Sequence, residues 1–132
     1  MITAVDTSVL LDIFLPDERH GRTSREWLVE AYDAGAIIVS HVVYAELAPA
    51  FPDREALDRA LREVNVVVSP IDAGMAHDAG RRWGRYRQSG GARDRIITDF
   101  LIGAHAVAAA DRFLTRDRGF FSSYFPELER GD

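Results

Sequence analysis

Four short apolar runs punctuate the chain, at residues 2–5, 36–39, 66–68 and 112–115, and the stretches between them carry helical spacing. Runs this short suit strands covered on both faces, and strands joined through helices pair in parallel. This alternation is the strongest constraint on the fold. It predicts a three-layer α/β/α architecture with helices on both faces of a central parallel sheet of four short strands. At 132 residues the chain is long enough for one core and too short for two, so residues 1–132 read as a single domain.

The helical stretches have readable ends. One runs from about residue 8 to Leu15, where Pro16 stops it, and a second from Arg22 to Ala34 carries an apolar face of Trp27, Leu28, Ala31 and Tyr32 before Gly35. A third spans residues 41–48 and ends before Pro49. Asp53 opens a fourth, with Leu57, Ala60, Leu61 and Val64 at helical spacing. Two more are predicted over residues 73–87, up to the Ser89-Gly90-Gly91 loop, and over residues 98–110. No repeat, linker or low-complexity tract interrupts them.

Composition removes several function classes. The chain has no cysteine, which excludes disulfides and thiolate metal sites and makes the cytoplasm the expected location. No stretch approaches the length of a membrane span, and no export signal is expected from the first residues. A net charge of -5 argues against a protein that coats nucleic acid non-specifically. Its 16 basic residues are all arginine, however, and Arg81, Arg82, Arg85, Arg87, Arg93 and Arg95 crowd into one stretch. Guanidinium forks pair well with phosphates, although Arg81, Arg85 and Asp78 are also spaced for ion pairs on a solvated helix face. Trp83 and Tyr86 interleave with them and offer base-stacking surfaces, with core packing the expected role of Trp83.

The first apolar run ends on a carboxylate, Asp6. In a parallel sheet with helical crossovers the strands end at one edge, and ligands bind in the crevice outside those ends. Asp117 follows the last run by two residues and belongs to the same edge. Glu46 lies about two turns into the helix leaving the second strand, within reach of that edge. The helix opening near Thr98 must start from the edge as well, which brings Asp99 there. Four acids distant in sequence are thus expected to converge.

Taken singly, each acid has an ordinary role: Asp6 as a helix cap, Asp99 as a first-turn acid, Glu46 as a solvated position, Asp117 as a turn residue beside Gly119. Convergence is harder to explain that way, because two like charges about 4 Å apart repel by roughly 4 kcal/mol at an effective dielectric near 20. A hard divalent cation, Mg2+ or Mn2+, would compensate, since oxygen donors suit those ions and zinc prefers histidine or cysteine. His20, His41, His77 and His105 are scattered, and His105 reads as a packed side chain. Asp12, Asp94 and Asp111 read as surface or capping residues.

The segments VDTSVLLDIF, VVYAEL, DFLIGAHA and FLTRDRGFF, in this order and spacing over nearly the whole chain, resemble the PIN domain, and most of all the VapC-type ribonuclease toxins of toxin–antitoxin pairs. The resemblance implies a metal site of Asp6, Glu46, Asp99 and Asp117, with the hydroxyls of Thr115 and Ser8 lining it. It further implies a Mg2+- or Mn2+-dependent endoribonuclease acting on RNA, a homodimer, and a small antitoxin partner. A fifth strand after SSYFPELE, common in the family, is left open by the few residues that remain.

On that reading Asp6, Glu46, Asp99, Asp117 and Thr115 are the catalytic set, and Arg81, Arg82, Arg85, Arg93 and Arg95 contact the RNA backbone. Val42, Val43, Leu47 and Phe51 form an apolar rim for an antitoxin helix. A dehalogenase-type phosphatase would need an aspartate where Ser8 stands, and a receiver domain would need a lysine. The alternative is a catalytically inactive PIN-like binding module.

Overall fold

The structure is a computed structural model and describes residues 1–90 and 95–130. Five parallel strands form one sheet in the order β3-β2-β1-β4-β5: β1 Thr3–Val5, β2 Ile37–Ser40, β3 Val66–Ser69, β4 Arg112–Leu114 and β5 Glu129–Arg130. The two central strands, β1 and β4, are buried at every residue. The fifth strand does form, and its two residues pair with Arg112 and Phe113.

The helices are α1 Thr7–Phe14, α2 Gly21–Ala34, α3 His41–Leu47 with a 3-10 turn Ala48–Ala50, α4 Arg54–Glu63, α5 Ala73–Gln88, α6 Ile97–Ala109 and α7 Arg118–Tyr124. Side-chain caps start four of them: Asp6, Ser40, Asp53 and Asp72 each accept from a backbone N–H of the first turn. Gly35 closes α2 with φ of 149°, and a Cβ there would lie 2.1 Å from the Met1 carbonyl oxygen.

Helix α7 is missing from the sequence expectation. Its sequence, RGFFSSY, carries a glycine and two serines and reads locally as a turn. Burial makes it a helix: Phe120 and Phe121 enter an aromatic cluster, with ring centroids 5.3 Å from Phe100 and 4.8 Å from Phe113. Two residues assigned to an exposed rim also belong to the core, since Val43 and Leu47 are 1% and 0% exposed. The inward face of α3 takes both, because they stand four residues apart. His105 is packed as expected, 1% exposed, and its burial favours the neutral imidazole.

Gly103 in α6 lies against the fully buried ring of Phe125, where a Cβ would come within 2.4–2.7 Å of three ring atoms. Gly103→Ala is therefore expected to lower stability by about 1–3 kcal/mol, although alanine is the better helix former by roughly 1 kcal/mol. Urea unfolding measures this. An unchanged or raised midpoint would mean that the ring yields without cost.

The strand order places the active edge. From β1 the chain builds outward through β2 to β3, then returns to add β4 on the other side of β1. Strands β1 and β4 therefore flank the topological switch, where crossover connections leave in opposite directions and a crevice opens.

Candidate active site

Asp6 stands at that switch. It follows β1 directly, and its N–H donates to the Leu114 carbonyl at the end of β4, 2.9 Å away. One carboxylate oxygen accepts from the Thr7 N–H at 2.9 Å and the other from the Thr115 hydroxyl at 2.7 Å. Thr115 is 2% exposed, and its oxygen also accepts from the Asp117 N–H at 2.9 Å. A hydroxyl so enclosed joins the two acids at the ends of β1 and β4. It donates to Asp6 and accepts from the Asp117 backbone, and so orients both acids.

Glu46, exposed on α3, accepts from the Thr7 hydroxyl at 2.5 Å. Thr7 is thus a hydroxyl of α1 that reaches one of the acids. Asp99 lies in the first turn of α6 and accepts from the Ile96 N–H at 3.2 Å, so it also serves as the first-turn acid of its helix. Asp117 pairs with Arg95 at 2.5 Å.

The electrostatics separate these acids. Burial pushes the Asp6 carboxyl from 3.8 up to about 6, against the lowering effect of its Thr115 and Thr7 hydrogen bonds, and the charges of Glu46 and Asp99 push it further up. Asp6, Glu46 and Asp99 therefore share one field, while Asp117 at its margin is neutralised by an arginine. Among the described residues, the Asp6 carboxylate accepts from neutral donors, Thr7 and Thr115. Among the described residues no three His, Asp or Glu side chains stand arranged to hold an ion as they are.

Several expected roles change. Asp12 is not a surface residue: it is 3% exposed and accepts from the Ser24 hydroxyl at 2.7 Å and from two nitrogens of Arg116 at 2.9 and 3.1 Å. Asp111 is exposed and accepts from the Ile2 N–H at 2.7 Å. Arg82 is tied into the fold, between Asp78, Glu127 and the Tyr124 carbonyl, with its guanidinium 4.5 Å from the Phe125 ring centroid. Arg81 and Arg85 are exposed on α5, and Arg95 lies over the Phe120 ring as well as on Asp117. Arg93 and Asp94 lie outside the described residues.

Trp83 packs against the core as expected, and Tyr86 belongs to the core as well. Tyr86 is 5% exposed and packs on Phe100, whereas Trp83 is only half-buried and carries Arg87 over its ring. The i, i+4 spacing of Trp83 and Arg87 was the available signal for that pair.

A parallel sheet with acids gathered at its switch point defines a PIN-like site, and the family model for the PIN domain matches residues 3–125. The chain belongs to the PIN domain family. Its fold is similar to that of VapBC2 from Rickettsia felis bound to a promoter DNA fragment, with TM-score 0.74, 21% identity and 100% of both chains covered. It is also similar to VapBC-1 from nontypeable Haemophilus influenzae, with TM-score 0.71, 17% identity and 100% of this chain and 98% of that one covered. A third similar structure is VapC20 of Mycobacterium tuberculosis, described as a sarcin-ricin loop cleaving toxin, with TM-score 0.63, 19% identity and 96% and 98% coverage. No curated protein matched the sequence. No helix among the described residues is long and apolar enough to cross a membrane.

Proposed function

We propose that the chain is a metal-dependent endoribonuclease, the toxin of a toxin–antitoxin pair, acting in the cytoplasm as a homodimer. The observation that carries this reading is the field at Asp6. Burial raises the Asp6 carboxyl, Glu46 and Asp99 from two distant segments add to the rise, and among the described residues its carboxylate is bound by neutral donors. A fold stabilised for its own sake would place an arginine in that position, as it does at Asp12 and Asp117.

The donor set fits a hard divalent cation. Asp6, Glu46 and Asp99 offer only oxygen, and exposed Glu46 has the freedom to turn inward. Those three would hold Mg2+ or Mn2+, with Asp117 joining if Arg95 yields it. Such an ion supplies charge neutralisation and Lewis-acid polarisation of the scissile phosphate. The chain's own residues do the rest. Thr115 and the Thr7 N–H hold the Asp6 carboxylate in place, the Thr7 hydroxyl meets Glu46, and the arginines beside the crevice, Arg95 first among them, attract the phosphate backbone.

The antitoxin rim shifts with the burial of Val43 and Leu47. Half-buried Phe14 and Phe51 meet edge-on at 5.4 Å beside exposed Leu15 and half-buried Val42, and this patch supports a helix docking there. A structure of similar fold from Klebsiella pneumoniae, with TM-score 0.62 and 18% identity, is described as a toxin–antitoxin complex, which supports a partner of that kind.

The direct test is cleavage of a mixed panel of RNAs by the purified chain with and without magnesium. Wild type should cut only with the ion, and Asp99→Asn should lose activity with its circular dichroism unchanged. Full activity in that variant would remove Asp99 from the site. RNA left intact under every divalent ion would favour the inactive binding module.

A further inference from the structure

Helix α2 gives one face to the core and leaves the other uncovered. Gly21, Ser24, Leu28 and Ala31 are buried, whereas Val29 is 62% and Tyr32 55% exposed. Arg22, Arg25, Glu26, Val29, Glu30 and Asp33 line a shallow groove of about 410 Å3 on the outer side. Val29 is the one apolar residue among them.

The charges along this face are ordered: Arg22 and Arg25 lie in the amino-terminal half of the helix, and Glu30 and Asp33 in the carboxyl-terminal half. That order opposes the helix dipole. The dipole favours acids in the first turn and bases in the last, and α2 has neither. Its N-cap, His20, makes no side-chain capping bond. The ion pair between Arg22 and Glu26, at 3.4 Å, joins two exposed side chains in the weaker orientation, base before acid. Glu30 reaches Arg112 at 3.7 Å but stays 72% exposed. Among the described residues, Arg25 and Asp33 make no ion pair.

An antiparallel copy of the same helix would turn this order to advantage, because each basic half would face an acidic half and the two dipoles would oppose. A parallel copy would set like against like. Val29 lies four residues from Arg25 and four from Asp33, so a twofold axis through Val29 brings Arg25 of each chain to the level of the partner's Asp33. Val29 then meets its own copy, with Tyr32 beside the seam. We infer that α2 is a homotypic interface, two chains packing their outer α2 faces antiparallel about Val29 with Arg25 and Asp33 paired across it in both directions. The occupant is a second copy because the face is its own complement, one helix carrying both halves of each pair. This rests on the homodimer of the reading above and gives it a surface.

A single helix pair is a small contact beside the roughly 1,200 Å2 that stable interfaces bury, so association belongs in the tens to hundreds of micromolar and should weaken with salt. Sedimentation velocity of the full chain in EDTA, across that range, reads it. Wild type should pass from monomer to dimer. Arg25→Asp and Asp33→Arg each set like charges together at two symmetric points and should weaken self-association by roughly tenfold or more. Mixed in equal amounts, the two variants should associate again, since one carries acids at both positions and the other bases. Both substitutions in one chain should restore the wild-type dimer. Circular dichroism confirms that each variant is folded.

Wild type that stays monomeric throughout would overturn the inference, and a face reserved for another protein would give that result. Reversals that self-associate like wild type, or a mixture that does not associate, would overturn it as well. RNA cleavage in magnesium is measured on the same samples. A dimer indifferent to both reversals defeats this face and leaves the homodimer standing. A monomer that cuts RNA defeats the interface and the homodimer together and leaves the nuclease reading intact.

Discussion

Asp6→Asn is expected to cut RNA at least about a thousandfold more slowly than wild type and, in EDTA at neutral pH, to be the more stable protein. The loss of activity follows from removing a charged oxygen donor at the centre of the acidic field, where an ion's contribution to the transition state is several kcal/mol. The gain in stability follows from the same charge. A carboxyl held at about 6 in the fold and near 3.8 when unfolded costs on the order of 3 kcal/mol once both states are ionised. Asparagine escapes that cost but presents one acceptor oxygen where the carboxylate has two, so either the Thr7 N–H or the Thr115 hydroxyl loses its partner, at about 1 kcal/mol.

The sign with pH makes this prediction specific. Between 3.8 and about 6 the native state holds a proton that the unfolded state has lost, so the Asp6 contribution makes wild type less stable as pH rises through that window. The variant has no such group. Its advantage should be full above pH 6 and should disappear below about 4. Urea titrations of both proteins at several pH values, with EDTA present, measure the difference. A variant less stable than wild type at pH 7, with a pH-independent gap, would mean that Asp6 is an ordinary cap whose charge burial does not penalise.

The second large effect concerns the pair that fixes the neighbouring turn. Arg116 donates through two nitrogens to Asp12, which is 3% exposed, and so ties the segment between β4 and α7 to α1. Arg116→Ala leaves that carboxylate with the Ser24 hydroxyl as its remaining side-chain donor among the described residues and is expected to cost about 3 kcal/mol. Arg116→Lys should recover only part of this, since an ammonium cannot reproduce the two-pronged contact. Asp12→Leu combined with Arg116→Met should be closer to wild type than Arg116→Ala alone, because removing both charges leaves neither stranded. Equilibrium unfolding of the four proteins checks the order. Arg116→Ala within about 0.5 kcal/mol of wild type would show the carboxylate to be adequately solvated without its partner. Because Thr115 and Asp117 flank Arg116, the same loosening should reach the acidic crevice and slow any cleavage.

The sequence by itself determined the architecture and the placement of its acids along the chain. Short apolar runs and period-3.6 patterns are local properties, so β1 to β4 and α1 to α6 lie within a residue or two of their expected bounds. Parallel pairing then follows from the helical connections, which is why the position of Asp6 at the end of the first apolar run already assigns it to the ligand-binding edge. What only the tertiary structure decided was partnership. Arg95 on Asp117, Arg116 on Asp12 and Arg118 over Trp27 each join segments that local patterns cannot relate. Burial was decided there too, and with it α7, a poor helix by composition that forms because the cluster around Phe100 and Phe113 receives its two phenylalanines. Propensity is summed over neighbours in sequence, whereas the energy of a buried ring or a paired charge depends on neighbours in space.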